Sequence, residues 1–253
     1  MLTGAGEPGG TINLIRKRPT ESFQGQIEAG LGSWDQRRLV ADLSGPLALS
    51  GALRGRLVLV SEDSDSYVDY GFSDKKALYG VIEARPTTST VIGLSLQYQK
   101  DRLNKNFAGL LTAPYGRDWG WSRSTFFGMP DGRMKSEDTR ANLYLEQQLS
   151  GNWALKANYT HSVNEWDSIY ATSWGTPDLA TGDGMVTWAT NTRRKTTGDA
   201  LEAYVEGTGE LLGNNRGHPL ASPCQVSKTL SRRRQPPIPI FSASQGLIPP
   251  VSS

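Results

Sequence analysis

Between residues 22 and 207, apolar and polar side chains alternate in runs of roughly ten to fifteen residues separated by turn-forming clusters. No other feature constrains the fold as tightly. A period of two places neighbouring side chains on opposite faces of an extended strand and cannot serve a helix. Phe23, Ile27, Ala29 and Leu31 share one face, with Gln24, Gln26 and Glu28 on the other. Leu39, Ala41 and Leu43 alternate with Arg38, Asp42 and Ser44, and Leu53, Leu57 and Leu59 are set against Arg54 and Arg56. Ile82 and Ala84 oppose Glu83 and Arg85, and Ile92, Leu94, Leu96 and Tyr98 oppose Ser95, Gln97 and Gln99. Ala141, Leu143 and Leu145 alternate with Asn142 and Glu146; Trp153, Leu155, Ala157 and Tyr159 alternate with Lys156, Asn158 and Thr160; Leu201, Ala203 and Val205 flank Glu202. The pattern predicts eight strands in an all-β, antiparallel fold.

Strand length and connection length decide what such strands build. Strands of soluble domains cluster near five or six residues, and these are longer. The connections at 45–52, 86–88 and 150–152 are short, whereas those at 62–76, 102–135 and 166–191 are long; only the first hairpin, near Gly32 to Asp35, is short where length is expected. Tight turns at one end and long loops at the other are the pattern of a transmembrane β-barrel. Glu28, Asp42, Arg54, Arg56, Glu83, Arg85, Glu146, Lys156 and Glu202 would all point to one side. That side suits a wet or plugged lumen, since on the lipid side each Arg or Lys would cost about 2–4 kcal/mol near the midplane. The competing architecture is a soluble antiparallel sheet with one solvated face.

Bulk composition removes other classes. No run approaches the roughly 18–20 apolar residues of a transmembrane helix, and a mean hydropathy of −0.45 is blind to strands that alternate lipid-facing and lumen-facing residues. Net charge is +2 with both signs interspersed, which gives no argument for nucleic-acid binding. One cysteine, Cys224, and two histidines, His161 and His218, offer no internal disulfide, no zinc cluster and no histidine-based catalytic centre. No convergent acid pair or nucleophile-base set is evident, so no enzymatic activity is expected. The acidic stretch Glu62, Asp63, Asp65 and Asp69 lacks the glycine and closing glutamate of a calcium loop and reads as solvated external loop.

Beyond residue 207 the character changes. Seven prolines fall from Pro219 to Pro250, with an Arg232-Arg233-Arg234 run and scattered serines. Proline removes ladder donors and is barred from central strands, so residues 208–253 are expected to be a disordered, non-barrel tail. The change is abrupt enough to suggest a shift of reading frame near Gly207.

At the other end, Gly4-Ala5-Gly6-Glu7-Pro8-Gly9 formally satisfies the dinucleotide fingerprint G-x-G-x-x-G. The fingerprint requires a preceding strand and a helix opening at its end, so that phosphate meets helix-terminal amides. Here no strand precedes, Pro8 removes an amide, and Thr11-Ile12-Asn13-Leu14-Ile15 is strand-like. The basic run Arg16-Lys17-Arg18 is expected, in preference to a nucleic-acid patch, to pair with carboxylates of the lumen or to sit near the periplasmic rim.

The run Gly6-Glu7-Pro8-Gly9-Gly10-Thr11-Ile12-Asn13-Leu14-Ile15-Arg16-Lys17-Arg18-Pro19 resembles the end of the plug domain of TonB-dependent outer-membrane receptors, especially the ferric-siderophore branch. Residues 30–38 look like that family's first barrel hairpin, 42–47 like the turn after it, and 111–127 like its third external loop. The resemblance covers 2–207. It implies a barrel of about 22 strands closed around an N-terminal plug, importing a ferric siderophore when a TonB complex pulls on the plug, in the outer membrane. Residues 1–20 would then be the end of the plug and 21–207 about eight strands of the barrel. No signal peptide, no TonB-contacting segment and no terminal aromatic are encoded, so the chain reads as a fragment not competent alone. A small self-contained outer-membrane barrel with a structural or adhesive role is the alternative, although it has no use for a plug-like start. A soluble carbohydrate-binding or hydrolytic β domain is disfavoured.

Within this resemblance the third loop supplies the ligand candidates. Tyr115, Trp119, Trp121, Phe126 and Phe127 are interleaved with Arg117 and Arg123. Aromatic faces stack on planar chelating groups and arginine meets the negative charge of a ferric complex; alternatively, such aromatics form an interfacial girdle or pack the loops. Trp166, Tyr170, Trp174 and Trp188 are expected in or beside the fourth loop. The implied partners are the ferric siderophore, the TonB complex and outer-membrane lipid, with no resident cofactor or metal.

Overall fold

The structure is a computed structural model that describes residues 16–104, 119–149, 152–176, 178, 181 and 183–207, and the backbone alone at Leu49 and 224–234. Nine strands follow: β1 (Gln24–Leu31), β2 (Arg37–Ala48), β3 (Leu53–Asp65), β4 (Phe72–Thr87), β5 (Thr90–Asn104), β6 (Arg133–Gln148), β7 (Ala154–Gly175), β8 (Met185–Glu206) and β9 (Cys224–Arg234). They form one sheet in chain order, each antiparallel to the next.

The register threads continuous rows across the sheet. Leu43, Leu57, Gly80, Leu96, Ala141 and His161 are successive cross-strand partners, as are Ile82, Leu94, Leu143, Tyr159 and Leu201. One residue along, on the opposite face, run Ser44, Arg56, Val81, Ser95, Asn142 and Thr160. The apolar rows extend from Leu53, Ala84, Ile92 and Leu145 to Leu59, Leu78, Tyr98 and Thr139. Three two-residue steps at ~3.4 Å per residue make this band about 20 Å tall along the strands. A one-residue slip would exchange the faces everywhere, so alternation and register specify each other.

Burial is inverted relative to a soluble sheet. Leu57, Ile82, Leu94, Leu96, Leu143 and Leu201 are 40–58% exposed, while Asp42, Ser44, Glu83, Ser95 and Asn142 are buried. Among the described residues only Val81, Phe127 and Met134 are buried hydrophobic side chains. The charged residues expected on one face, from Glu28 and Asp42 to Lys156 and Glu202, do share it by register.

Three expectations need correction. The connection at 62–76 is mostly strand, because β3 runs to Asp65 and β4 begins at Phe72. The fourth loop contracts likewise: β7 and β8 have 22 residues each, so Trp166, Tyr170 and Trp174 lie on β7 and Trp188 on β8. These ladders outrun the apolar alternation because backbone pairing needs no apolar face once both sides are wet. Finally, residues 208–253 are not uniformly outside the sheet, since β9 pairs with β8 from Ala203↔Cys224 to Arg193↔Arg234. The proline argument fails there because 224–234 contains no proline.

At the short-turn end Pro86 stands where the β4–β5 register shifts between Ala84 and Thr87, so its missing N–H deletes no ladder bond. The reversal between β1 and β2 puts Trp34 (φ 57°) and Asp35 (φ 53°) both in the left-handed region, which the twist of a two-residue hairpin demands.

Candidate functional site on the polar face

Residues 16–20 cross the short-turn half of the polar face, and ions hold them there. Lys17 Nζ donates to Asp42 Oδ2 at 2.8 Å, and Arg56 grips the same carboxylate through Nε (2.8 Å) and Nη2 (2.7 Å). Arg18 Nε donates to Glu83 Oε2 at 3.0 Å while its Nη1 reaches both oxygens of Glu146 at 3.0 Å. The wall also reads the segment's backbone: Tyr79 O–H donates to the Lys17 carbonyl at 2.8 Å, Arg56 Nη1 to the Arg18 carbonyl at 3.0 Å, and the Thr20 N–H to Ser44 Oγ at 2.8 Å. Contacts of both kinds from β2, β3, β4 and β6 fix the position of the chain as well as its charge.

Glu83 is the centre of this arrangement. Its side chain is 1% exposed, and an ionised carboxylate so placed must be paired and hydrogen-bonded. Arg18, the Tyr144 hydroxyl (3.0 Å) and Arg85 (3.3 Å) supply the donors. Partial burial works against the charge on Arg18, but its bonds to Glu146 and Glu83 outweigh that and raise its pKa above the ordinary guanidinium value. The Arg18 guanidinium also lies 5.4 Å over the Tyr144 ring. That ring lies across Gly93, its cross-strand partner, where an added Cβ would fall 1.9 Å from Tyr144 Cζ. Gly93 therefore leaves room for the tyrosine that holds Glu83.

At the long-loop end aromatic side chains gather. Trp119 and Trp121 stack with centroids 5.7 Å apart and planes 23° apart, and Trp121 meets Phe127 at 4.7 Å. Phe127 is buried, and Ser173 Oγ donates to its carbonyl at 3.2 Å. Phe126 contacts Tyr70 at 5.8 Å, Arg123 lies 5.8 Å over the Tyr67 ring, and Tyr67 meets Trp34 at 6.0 Å. The Asp69 N–H donates to the Ser124 carbonyl at 2.8 Å, tying this loop to the β3–β4 turn.

Of the residues singled out in the sequence, Trp119, Trp121 and Phe127 are thus brought together, while Phe126 packs on Tyr70 and Arg123 on Tyr67. Tyr115, Arg117 and the motif residues Gly6, Pro8, Gly9, Gly10, Thr11, Ile12 and Asn13 lie outside the described residues. Sequence reasoning missed Tyr79, Tyr144, Trp34, Tyr67 and Tyr70. For Tyr79 and Tyr144 a signal existed, since each has the parity of the charged face: Tyr79 with Glu83, Tyr144 with Glu146. Trp34, Tyr67 and Tyr70 sit in turns, where alternation is silent.

A long-stranded antiparallel wall, apolar and exposed on one face, with a charged segment pinned to the other, defines the class of plugged transmembrane β-barrels. No protein-family model matches the chain. It is 33% identical over 219 residues to the ferric-pyoverdine 358 receptor of Pseudomonas putida and 31% identical over 219 residues to the ferripyoverdine receptor of Pseudomonas aeruginosa. Each alignment covers 84% of this chain and 26% of the receptor, so the chain spans about a quarter of the length of these relatives. The crystal structure of the P. aeruginosa ferripyoverdine receptor bound to ferripyoverdine superposes with a TM-score of 0.81 at 30% identity, over 88% of this chain and 30% of that one. The ferric-catecholate import receptor Fiu of E. coli K12 shares the fold at 16% identity, with a TM-score of 0.78 over 97% of this chain and 37% of that one. In sequence and in fold the chain is thus similar to one stretch of the ferric-siderophore receptors of the outer membrane.

Proposed function

We propose that this chain supplies the plug end and adjoining wall of an outer-membrane receptor that imports a ferric siderophore, driven by a TonB complex. The inverted burial of the sheet carries the proposal: an apolar face with buried carboxylates behind it suits lipid outside and a plug inside. The long-loop end then faces the exterior, and the short-turn end, where residues 16–20 dock, faces the periplasm. The ferric ion arrives within the transported ligand and is no resident cofactor.

In this role the ionic seat around Asp42, Glu83 and Glu146 holds the end of the plug against the wall, and no covalent chemistry is involved. Ligand recognition falls to the loop aromatics. Trp119, Trp121 and Arg123 are the contact residues, with Phe126 beside Tyr70; Tyr115 and Arg117 precede them in the same loop. Phe127, buried beneath Trp121, anchors the cluster instead of touching ligand. Because several relatives are named for pyoverdine, ferripyoverdine is the first ligand to test.

The test places this chain in the corresponding segment of the P. aeruginosa receptor and measures ferripyoverdine binding by equilibrium titration. Replacing Trp119 and Trp121 together by alanine is expected to weaken binding about 10-fold or more, at about 1 kcal/mol per lost aromatic contact. Unchanged affinity defeats the ligand assignment. The membrane assignment fails separately if the chain is monodisperse in buffer without detergent.

A further inference from the structure

The turn between β3 and β4 holds a residue that its backbone does not favour. Residues 68–71 form a four-residue turn closed by the Gly71 N–H on the Val68 carbonyl at 3.0 Å, inside a wider link from the Ser66 N–H to the Gly71 carbonyl at 3.0 Å. Tyr70 is third in the turn, at φ 60°. A positive φ at that place suits glycine or asparagine and is strained for a bulky side chain. The glycine stands one residue on, at Gly71, where an added Cβ would fall 2.7 Å from Ser66 Cβ and 2.9 Å from the Val68 carbonyl oxygen. Gly71 therefore supplies room, and the unfavourable φ is left to a tyrosine. Burial does not offset the strain, since Tyr70 is 63% exposed.

Strained residues persist where their surroundings over-determine them, and they concentrate at functional sites. What tyrosine has here and glycine lacks is a ring, and that ring packs on Phe126 with centroids 5.8 Å apart and planes at 53°, a favourable geometry for an aromatic pair. The contact is one of three that run in step between two segments: Arg123 lies over Tyr67, the Asp69 N–H meets the Ser124 carbonyl, and Tyr70 meets Phe126. The β3–β4 turn is itself fixed from behind. The Asp65 N–H donates to the Trp34 carbonyl at 2.8 Å, and Trp34 packs on Tyr67. Further along the loop, Asn104 Nδ2 donates to the carbonyls of Met129 (3.3 Å) and Pro130 (3.1 Å), and Ser173 Oγ to that of Phe127. The segment 123–130 is therefore held near both ends, and Trp121 packs on Phe127 within it.

We propose that Tyr70 is a positioning residue for ligand recognition: by packing on Phe126 it holds the segment 119–127, and with it Trp119 and Trp121, in the conformation that meets the transported ligand. Tyr70 acts through Phe126 and needs no contact of its own with the ligand. The proposal rests on the ligand assignment made above, and the experiment separates the two.

Two readouts are taken on the receptor that carries this chain in place of the corresponding P. aeruginosa segment: amide hydrogen exchange of peptides from 119–127, followed by mass spectrometry, and ferripyoverdine affinity by equilibrium titration. Tyr70→Asn keeps a side chain that tolerates the left-handed backbone and removes the ring. It is expected to speed exchange across 119–127 and to weaken ferripyoverdine binding, each about threefold, the contribution of one aromatic pair, while the turn at 66–71 exchanges no faster. Tyr70→Phe keeps the ring and is expected to behave as the wild type. In a Phe126→Leu background, Tyr70→Asn should have no further effect on either readout. Unchanged exchange across 119–127 in Tyr70→Asn overturns the proposal, as does faster exchange with unchanged affinity while Trp119→Ala with Trp121→Ala still weakens binding. If the tryptophan pair has no effect on affinity but Tyr70→Asn still frees 119–127, the ligand assignment has failed and the hold of Tyr70 on the segment is upheld.

Discussion

Removing Arg18 should loosen the segment at 16–20 by an amount that Glu83 sets. Breaking a fully buried ion pair by deleting one partner costs about 3–5 kcal/mol, because the other charge stays behind. Here Glu83 is 1% exposed but Arg18 is 43% exposed, so solvent screens the lost partner, and Tyr144 and Arg85 still donate to the carboxylate. The expected loss for Arg18→Ala is therefore about 1–2 kcal/mol, a factor of roughly 5–30 in docking of the segment. Docking can be read as an effective concentration. Thr20 Oγ1 donates to Ser44 Oγ at 2.8 Å, so cysteines at both positions, in a Cys224→Ser background, report proximity through their disulfide equilibrium in a glutathione buffer. Adding Glu83→Gln to Arg18→Ala removes the stranded charge and should restore part of the loss, a coupling above about 0.5 kcal/mol. If the two substitutions add to within about 0.3–0.5 kcal/mol, Glu83 does not hold the segment and the ionic seat is refuted.

Three further outcomes follow from register. Leu94→Arg, on the exposed apolar face, should destabilise the chain in lipid vesicles by about 2–4 kcal/mol, whereas Gln97→Arg on the polar face should cost far less; urea titration of refolded protein separates them. Gly93→Ala should cost about 1–3 kcal/mol through its clash with Tyr144, and most of that penalty should vanish in a Tyr144→Ala background. Ala203→Cys should form a disulfide with the native Cys224, its cross-strand partner, while Leu201→Cys should not; free thiol counting after mild oxidation checks the β8–β9 ladder.

How much of this was legible in the sequence depends on whether a residue's role is set by parity or by partner. Parity alone assigned Asp42, Glu83, Glu146 and Lys156 to one face, because alternation survives any error in strand ends. Strand ends themselves were not legible. At the long-loop end of β7 and β8 both faces are wet, the apolar signal disappears, and only the ladder shows that Trp166 to Trp174 are still paired. β9 was hidden differently: flanking prolines at Pro223 and Pro236 made the region look non-barrel, yet a strand asks only that its own eleven residues be free of proline. Pairing with a lumen carboxylate was one of two placements the sequence offered for the basic run, but the choice of Glu83 and Glu146 required the register that places β4 and β6 on either side of β5. The same register opposes Gly93 to Tyr144. In a sheet of long strands, the sequence of each strand decides which face a side chain takes, and the offset between strands decides what it can do there.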